Sequence, residues 1–258
     1  MASRIVGFIF ILILFASCNS SRKIAYFENV QDASFKSTLS TVEAPIQNND
    51  ILTITISSLN SEASAIFNPS SNSVTKVATS AGTEALAGGY LVNNDGNIQL
   101  PIIGTVTAAG LTKKQLKENL TKILLDKKLL VDPIVDIRYL NFEVTVIGEV
   151  GKPTVITVPS EKISLIKALG LAGDLTIYGR RDNVLLIREE NGQRITRHID
   201  LNSSEFLNSP YYYLQPNDVV YVEPNKTKVA SSTRSQQVVP IILSSLSIIV
   251  VVVTSLIK

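Results

Sequence analysis

Alternating hydrophobic and polar residues predict most of the strands between residues 46 and 223. The run Ile51–Ile56 (ILTITI) alternates as a half-buried strand does, and Ile134–Tyr139 and Phe142–Ile147 are the next predicted strands. The later strands are predicted at Thr154–Val158, Val184–Ile187, Arg194–Ile199, Tyr211–Leu214 and Val219–Val222. This density of short strands indicates small β-rich domains.

Turn sequences separate these strands. Asn93-Asn94-Asp95-Gly96 predicts a hairpin that joins Tyr90–Val92 to Asn97–Leu100, and Asn191-Gly192 predicts a second hairpin. Gln47–Asp50 and Gln215–Asp218 each place Asn-Asp directly before an apolar strand. Asn tolerates a positive φ and Asp bonds its own backbone, so we interpret both as turns in which the aspartate is structural. Turn chemistry used twice is favoured over a true duplication.

Two helices interrupt the strands. Thr112 and Gln115 form a predicted capping box, and Leu116, Leu120, Ile123 and Leu124 follow on one helical face. A second helix is predicted from Ser160 to about Ala172. Residues 60–89 contain few large apolar side chains and are predicted to be a long loop that can hold a short helix. The predicted fold class is therefore α+β, with two small α+β domains at 46–140 and 141–225, the second β-grasp-like.

The N-terminus resembles a lipoprotein signal peptide. Arg4 precedes the apolar run Ile5–Phe15, and the small residues Ala16 and Ser17 precede Cys18. Leu14–Cys18 resembles a bacterial lipobox, although Phe15 stands where Leu is usual. We predict a signal peptide at 1–17, lipidation of Cys18, and a tether over 18–45 that leads from outer-membrane lipid to the first domain. The alternative is an ordinary signal peptide in which the cysteine is incidental.

The C-terminal residues Val238–Ile257 are uncharged and long enough to cross a bilayer as a helix. The sequence thus predicts a transmembrane helix at 238–257 after a polar linker at 226–237. Five residues share one side of this helix and are hypothesised to line a pore: Ser244, Ser247, Val251, Thr254 and Ser255. The alternative is that the hydroxyl groups pack against neighbouring helices.

Composition argues against several functions. The net charge is +2, aromatic residues make up 6% of the chain and there is no Trp, so nucleic-acid binding has no support. The only histidine, His198, lies on an alternating strand, and no metal spacing or phosphate-binding glycine loop is present. We predict that the protein is not an enzyme and has no catalytic residues, cofactor or metal. Arg180-Arg181 is interpreted as a solvated loop, and Tyr211–Tyr213 as a strand with alternate rings in the core, with sugar contact as the alternative.

Three segments carry a family resemblance: Tyr90–Gly110, Phe142–Pro153 and Leu165–Gly173. Together they resemble the outer-membrane polysaccharide export proteins, the group that includes Wza. The chain departs from that group at Asn49-Asp50 and Asn217-Asp218, where Gly-Asp is usual, and at Asp174, where a second Gly is frequent. Only one β-grasp unit fits before the C-terminal stretch.

The resemblance implies a polysaccharide export domain at 46–140 followed by a soluble-ligand-binding β-grasp (SLBB) domain at 141–225. It implies an outer-membrane lipoprotein with periplasmic domains that assembles into a homo-oligomeric, porin-like translocon for capsular or exopolysaccharide. It also implies an inner-membrane polysaccharide co-polymerase as partner. The alternative is a tail-anchored periplasmic scaffold or ligand-binding protein without a pore, and the oligomeric state distinguishes the two.

Overall fold

Two hydrophobic clusters divide the core of the chain. The computed structural model describes residues 26–27, 43–68, 74–78, 84–190 and 192–231, together with 238, 241–242, 244–245, 247–249, 252 and 255. One cluster draws its buried side chains from Ile46 to Ile137, and the other from Phe142 to Val222. We call residues 46–140 the first unit and residues 142–224 the second unit. The described residues form a mixed α+β fold, as the sequence predicts.

The first unit is built on a three-stranded antiparallel sheet of order β4-β1-β7, with two further hairpins, β2-β3 and β5-β6. Its elements are β1 Ile51–Ser57, α1 Ser61–Ala65, β2 Val74–Ala78, β3 Glu84–Gly88, β4 Tyr90–Leu91, β5 Asn97–Leu100, β6 Gly104–Thr107, α2 Lys113–Asp126 and β7 Ile134–Tyr139.

Helix α2 confirms the predicted capping box. The Thr112 side chain accepts a hydrogen bond from the Gln115 amide at 3.2 Å, and the Thr112 amide donates to Gln115 Oε1 at 2.8 Å. Both bonds satisfy amide groups that have no partner within the helix. Three leucines on the predicted apolar face are fully buried in the first cluster: Leu116, Leu120 and Leu124.

The second unit is built on a five-stranded sheet of order β12-β11-β14-β8-β9. Its central pair, β8 and β14, is parallel, and the other pairs are antiparallel. Its elements are β8 Glu143–Gly148, β9 Thr154–Thr157, β10 Ile163–Ser164, α3 Leu165–Leu171, β11 Gly179–Glu190, β12 Gln193–Ile199, a 3₁₀ helix Ser204–Asn208, β13 Tyr213–Leu214 and β14 Val219–Pro224, after which α4 covers Lys226–Ser231. The predicted hairpin of β11 and β12 is confirmed.

Three local predictions need correction. The turn at 93–96 forms, but β4 pairs with β1, and β5 instead pairs with β6 across the turn at 101–103. The second helix begins at Leu165 and not at Ser160, because Ile163 pairs with Leu214 and the Ser164 side chain caps the helix. The predicted loop at 60–89 contains the expected short helix α1, but also β2 and β3, which lack an alternating apolar pattern.

The C-terminal transmembrane helix predicted at 238–257 is also wrong. A bilayer span requires about twenty continuous, mainly apolar helical residues. Within the described part of the chain, no helix combines that length with that hydrophobicity.

Candidate functional site

The residues that the sequence singled out do not come together in one site. Cys18, Val251 and Thr254 lie outside the described residues. Ser244, Ser247 and Ser255 are helical and exposed. The Ser244 hydroxyl donates to the Ile241 carbonyl at 2.9 Å, and the Ser247 hydroxyl donates to the Ser244 carbonyl at 2.7 Å. These two hydroxyl groups therefore already have partners within their own helix.

The two Asn-Asp turns have the same geometry. Asn49 has φ 69° and Asn217 has φ 66°, which confirms the left-handed conformation expected from the sequence. Asp50 Oδ2 accepts from the Gln47 amide at 2.7 Å, and Asp218 Oδ2 accepts from the Gln215 amide at 2.7 Å. Both aspartates are buried and close their own turns. Their role is therefore structural, as predicted.

These turns meet where the two units join. Asn217 Nδ2 approaches Asp50 Oδ1 at 3.5 Å, and Gln47 Nε2 donates to the Glu189 carbonyl at 2.7 Å. The turn of the first unit is thus bonded to both the matching turn and a strand of the second unit.

Electrostatics distinguish the two aspartates. Asp218 accepts two hydrogen bonds from the Arg188 guanidinium, from Nε at 2.9 Å and from Nη2 at 2.7 Å, and both side chains are buried. This bidentate pairing compensates the buried charge. Asp50 has no cation in ion-pair contact among the described residues. Burial raises the pKa of Asp50 from 3.8 to about 6, against the lowering effect of its hydrogen bonds from Gln47 and Asn217.

A second connection joins the units through Glu161. Its Oε1 accepts from the Tyr139 amide at 2.5 Å, and its Oε2 pairs with the Lys113 ammonium group. The Lys113 Nζ lies 5.4 Å from the centre of the Tyr139 ring, and that ring packs edge-on against Phe142 at a centroid distance of 6.3 Å. Tyr139 packs against both hydrophobic clusters, so this residue links the two cores.

A cleft of about 520 Å³ opens at this junction. We call it the junction cleft. It is lined by Glu43, Ala44, Lys113, Tyr139, Phe142, Glu161, Lys162, Arg188, Glu190, Ser209, Pro210, Tyr211, Tyr213, Leu214, Gln215 and Pro216. Its tyrosine rings are covered by cations. Lys162 Nζ lies 4.4 Å from the Tyr213 ring centre, and Arg188 Cζ lies 5.6 Å from the Tyr211 ring centre.

The tyrosine triplet does not form the strand with alternating rings that the sequence predicts: only Tyr213 lies in β13, and Tyr211 and Tyr212 both pack against the hydrophobic cluster of the second unit. Tyr212 packs against Phe206 at 5.4 Å between ring centres, whereas Tyr211 and Tyr213 line the junction cleft. The Tyr211 hydroxyl also accepts from Arg197 Nε at 2.9 Å. Cations engage these rings, and Glu161 and Tyr139, which also line the cleft, bond the two units to each other. The junction cleft is therefore better suited to fixing the relative position of the units than to binding a sugar.

His198 is exposed on β12. No group of three His, Cys, Asp or Glu side chains in the described part of the chain could hold a metal ion. The hydrogen bonds at the junction can couple the two units.

Sequence reasoning missed the charged residues of the junction. Arg188 continues the inward-facing series of Val184 and Leu186 on β11, so a charge at a core position of an alternating strand was an available signal. Glu161 gave no such signal, because its partners Lys113 and Tyr139 lie far away in the sequence. Arg181, interpreted above as solvated, is in fact buried.

The chain is similar in sequence to known proteins, and the family match covers the first unit. Residues 40–140 match the family described as polysaccharide biosynthesis/export protein. The chain is 26% identical over 153 residues to the EPS I polysaccharide export outer membrane protein EpsA of Ralstonia solanacearum. That alignment covers 58% of this chain and 40% of the Ralstonia solanacearum protein. It is 27% identical over 139 residues to the protein of the same name from Ralstonia nicotianae. That alignment covers 52% of this chain and 35% of the Ralstonia nicotianae protein.

The match to these two relatives thus extends over less than half of their length. Within the chain, the matched family region contains the whole first unit, including the Gln47–Asp50 turn, helix α2 and strand β7. The resemblance drawn from the sequence motifs is therefore confirmed over residues 40–140, which match the polysaccharide biosynthesis/export family.

Proposed function

We propose that this protein exports capsular or exopolysaccharide across the bacterial outer membrane as a homo-oligomer. The single observation that carries the proposal is the family match over residues 40–140, a range that contains the described hydrophobic cluster of the first unit. The names of the two Ralstonia relatives, both polysaccharide export outer membrane proteins, support the location and the cargo.

The second unit is proposed to be the SLBB domain. Its five-stranded mixed sheet packed around helix α3 supports a β-grasp-like fold. In this proposal 46–140 is the export domain, and the hydrogen bonds at the junction hold it in a fixed orientation to the SLBB domain. A fixed orientation suits a ring, because every copy must then present the same surfaces to its neighbours.

Further parts of the proposal concern the chain ends and the partner. Lipidation of Cys18 anchors the protein to the membrane, and an inner-membrane polysaccharide co-polymerase docks on the periplasmic side. Ser244, Ser247, Val251, Thr254 and Ser255 stay the hypothesised pore-lining residues. Cysteines at 244 and 247 should then react with water-soluble thiol reagents faster than a cysteine at 249 in the assembled protein, and equal rates would remove the distinction.

Oligomeric state and export test the central proposal together. The full chain, purified in detergent, should give a single high-mass species with a central hole in electron micrographs. Deleting its gene in the native host should leave the polysaccharide inside the cell, and the wild-type gene should restore surface polysaccharide. A monomer in detergent together with unchanged surface polysaccharide would contradict the proposal and favour a scaffold protein.

The lipid anchor has its own test. Wild-type protein should incorporate an acyl label and fractionate with the outer membrane. Cys18→Ala should lose both the label and the membrane association, whereas Ser17→Ala serves as the matched control and should keep both. A Cys18→Ala protein that is still processed and membrane-bound without label would refute lipidation as the anchor.

A further inference from the structure

The five-stranded sheet of the second unit is apolar on both faces. Its inner face packs with α3 in the second cluster, where Val144, Val184 and Val220 are fully buried. On β11 and β14 the residues that alternate with these are also apolar, so Val184–Ile187 and Val219–Val222 are unbroken apolar runs. Such runs are typical of strands that are covered on both faces, whereas a sheet with one face in water alternates apolar and polar residues. The sequence of these strands therefore indicates a second covering layer.

The face away from α3 forms one connected surface, which we call the outer face. Six apolar side chains form two rows on it, across β11, β14, β8 and β9: Leu185, Tyr221 and Ile147, then Ile187, Val219 and, beyond Thr145, Val155. The four on β11 and β14 are partly exposed and pack against neither hydrophobic cluster. Ile147 is 40% exposed and Val155 is 38% exposed. A connected apolar surface marks an interaction site, whereas scattered apolar side chains do not.

The opposite side of the second unit presents a smaller apolar surface. Helix α3 packs on the inner face of the sheet through Leu165, Ala168 and Leu169, so the other side of the helix faces away from the sheet. Leu171 is 56% exposed on that side. Beside it Gly170 leaves open space, because an added Cβ would meet nothing within 4 Å. The unit therefore carries apolar surface on two opposite sides, the outer face and the exposed side of α3.

Charged residues at these two surfaces are complementary. Glu143 and Glu189 lie at the end of the outer face nearest the junction, and Lys167 lies on the exposed side of α3. None of these three side chains is in an ion pair within the described part of the chain. Arg194 lies opposite Glu189 in the strand register, which leaves this end of the outer face with a net charge of −1. The outer face thus suits a surface that combines an apolar side chain with a cation, as the exposed side of α3 does.

We propose that the outer face of one copy packs against the exposed side of α3 of the next copy. Leu171 then covers the two apolar rows, and Lys167 lies toward the acidic end of the outer face. A contact between different surfaces of identical subunits is head-to-tail, and it generates a ring when the rotation closes. Each sheet would be covered by its own α3 on one face and by its neighbour's α3 on the other. This inference rests on the proposed export function, because that function supplies the homo-oligomer.

Cross-linking of the full chain in detergent tests which surfaces meet. The double variant Ile147→Cys/Leu171→Cys, treated with a bismaleimide, should give a series of covalent species that extends beyond the dimer on a denaturing gel, because each copy offers a different thiol to each neighbour. Each single variant should stay monomeric, since position 147 meets position 171 and not its own counterpart. Wild type treated in the same way controls for Cys18. A double variant that stays monomeric, or single variants that form dimers absent from wild type, would overturn the proposal.

A charge placed on the outer face should weaken assembly. Ile147→Lys should raise the protein concentration for half-assembly at least about tenfold, with an unchanged urea midpoint. Leu59→Lys is the matched control, because it adds the same charge at an apolar side chain of the first unit that is 95% exposed, and it should assemble as wild type does. Equal weakening by both variants, or cross-linking of position 147 to a different protein in the host, would overturn the proposal. Intact wild-type rings in either case would show that the export function stands, whereas a monomeric wild type would contradict both.

Discussion

The unpaired aspartate at the junction makes stability depend on pH in a defined direction. Burial raises the pKa of Asp50 from 3.8 to about 6. Between these values the folded protein holds a proton that the unfolded chain releases, so stability falls as pH rises through this window. Below the window both states are protonated, and above it the folded state carries a buried charge. A shift of that size corresponds to about 3 kcal/mol at neutral pH.

Asp50→Asn removes the charge and keeps the turn. Its amide oxygen can still accept from the Gln47 amide, and Asn217 can rotate its own amide to present an oxygen to the new NH₂ group. The variant should therefore be more stable than wild type by up to about 3 kcal/mol at neutral pH, with the advantage vanishing near pH 4. Urea denaturation of the full chain, followed by circular dichroism across that pH range, measures the difference.

The matching turn provides the control. Asp218→Asn makes the same chemical change at the same turn position, but it removes the bidentate partner of the buried Arg188 and leaves only the Glu190 carboxylate, at 3.8 Å. It should destabilise the protein by about 3–5 kcal/mol at neutral pH. If Asp50→Asn kept the wild-type pH dependence, or lost as much stability as Asp218→Asn, the reasoning about burial without a partner would be refuted.

Two further predictions concern packing and capping. Gly148→Ala should destabilise the second unit by more than about 3 kcal/mol in thermal melts, because Gly148 has φ +95° and an added Cβ would lie 2.2 Å from the Val222 carbonyl oxygen. Gly170→Ala is the control: nothing lies within 4 Å of its added Cβ, so it should be neutral or slightly stabilising. Equal losses of stability in the two variants would refute the clash. Thr112→Ala should cost about 1 kcal/mol by removing the cap of α2, whereas Thr112→Ser should retain most of the stability in urea titrations; equal losses would show that the hydroxyl does not act as the cap.

The sequence predicted those features whose causes lie close together in the chain. The capping box of α2, its buried leucines, the hairpin of β11 and β12 and the positive φ of Asn49 and Asn217 each depend on residues within a few positions. The pairing of β4 with β1 depends on residues some forty positions apart, which a local turn motif cannot reveal.

The candidate sites depended still more on distant contacts. Arg188 and Asp218 lie thirty positions apart, and Glu161 bonds to Tyr139 across 22 positions. Asp50 was recognised as a turn residue, but its different charge environment from Asp218 follows only from which side chains the fold brings near. Arg181 was misjudged for the same reason, because adjacent arginines resemble a surface pair until strand β11 turns one of them inward.

The parallel pairing of β8 with β14 determines how the second unit could be multiplied. The chain enters the unit at the start of β8 and leaves it at the end of β14, so entry and exit lie at opposite ends of these two parallel strands. Six residues of strand rise about 20 Å. Tandem copies of such a unit would therefore follow one another along the strand direction and lengthen the molecule by a constant step, whereas an antiparallel pair would return the chain to the end at which it entered. Inserting or removing one such unit should thus change the length of the molecule without altering the first unit.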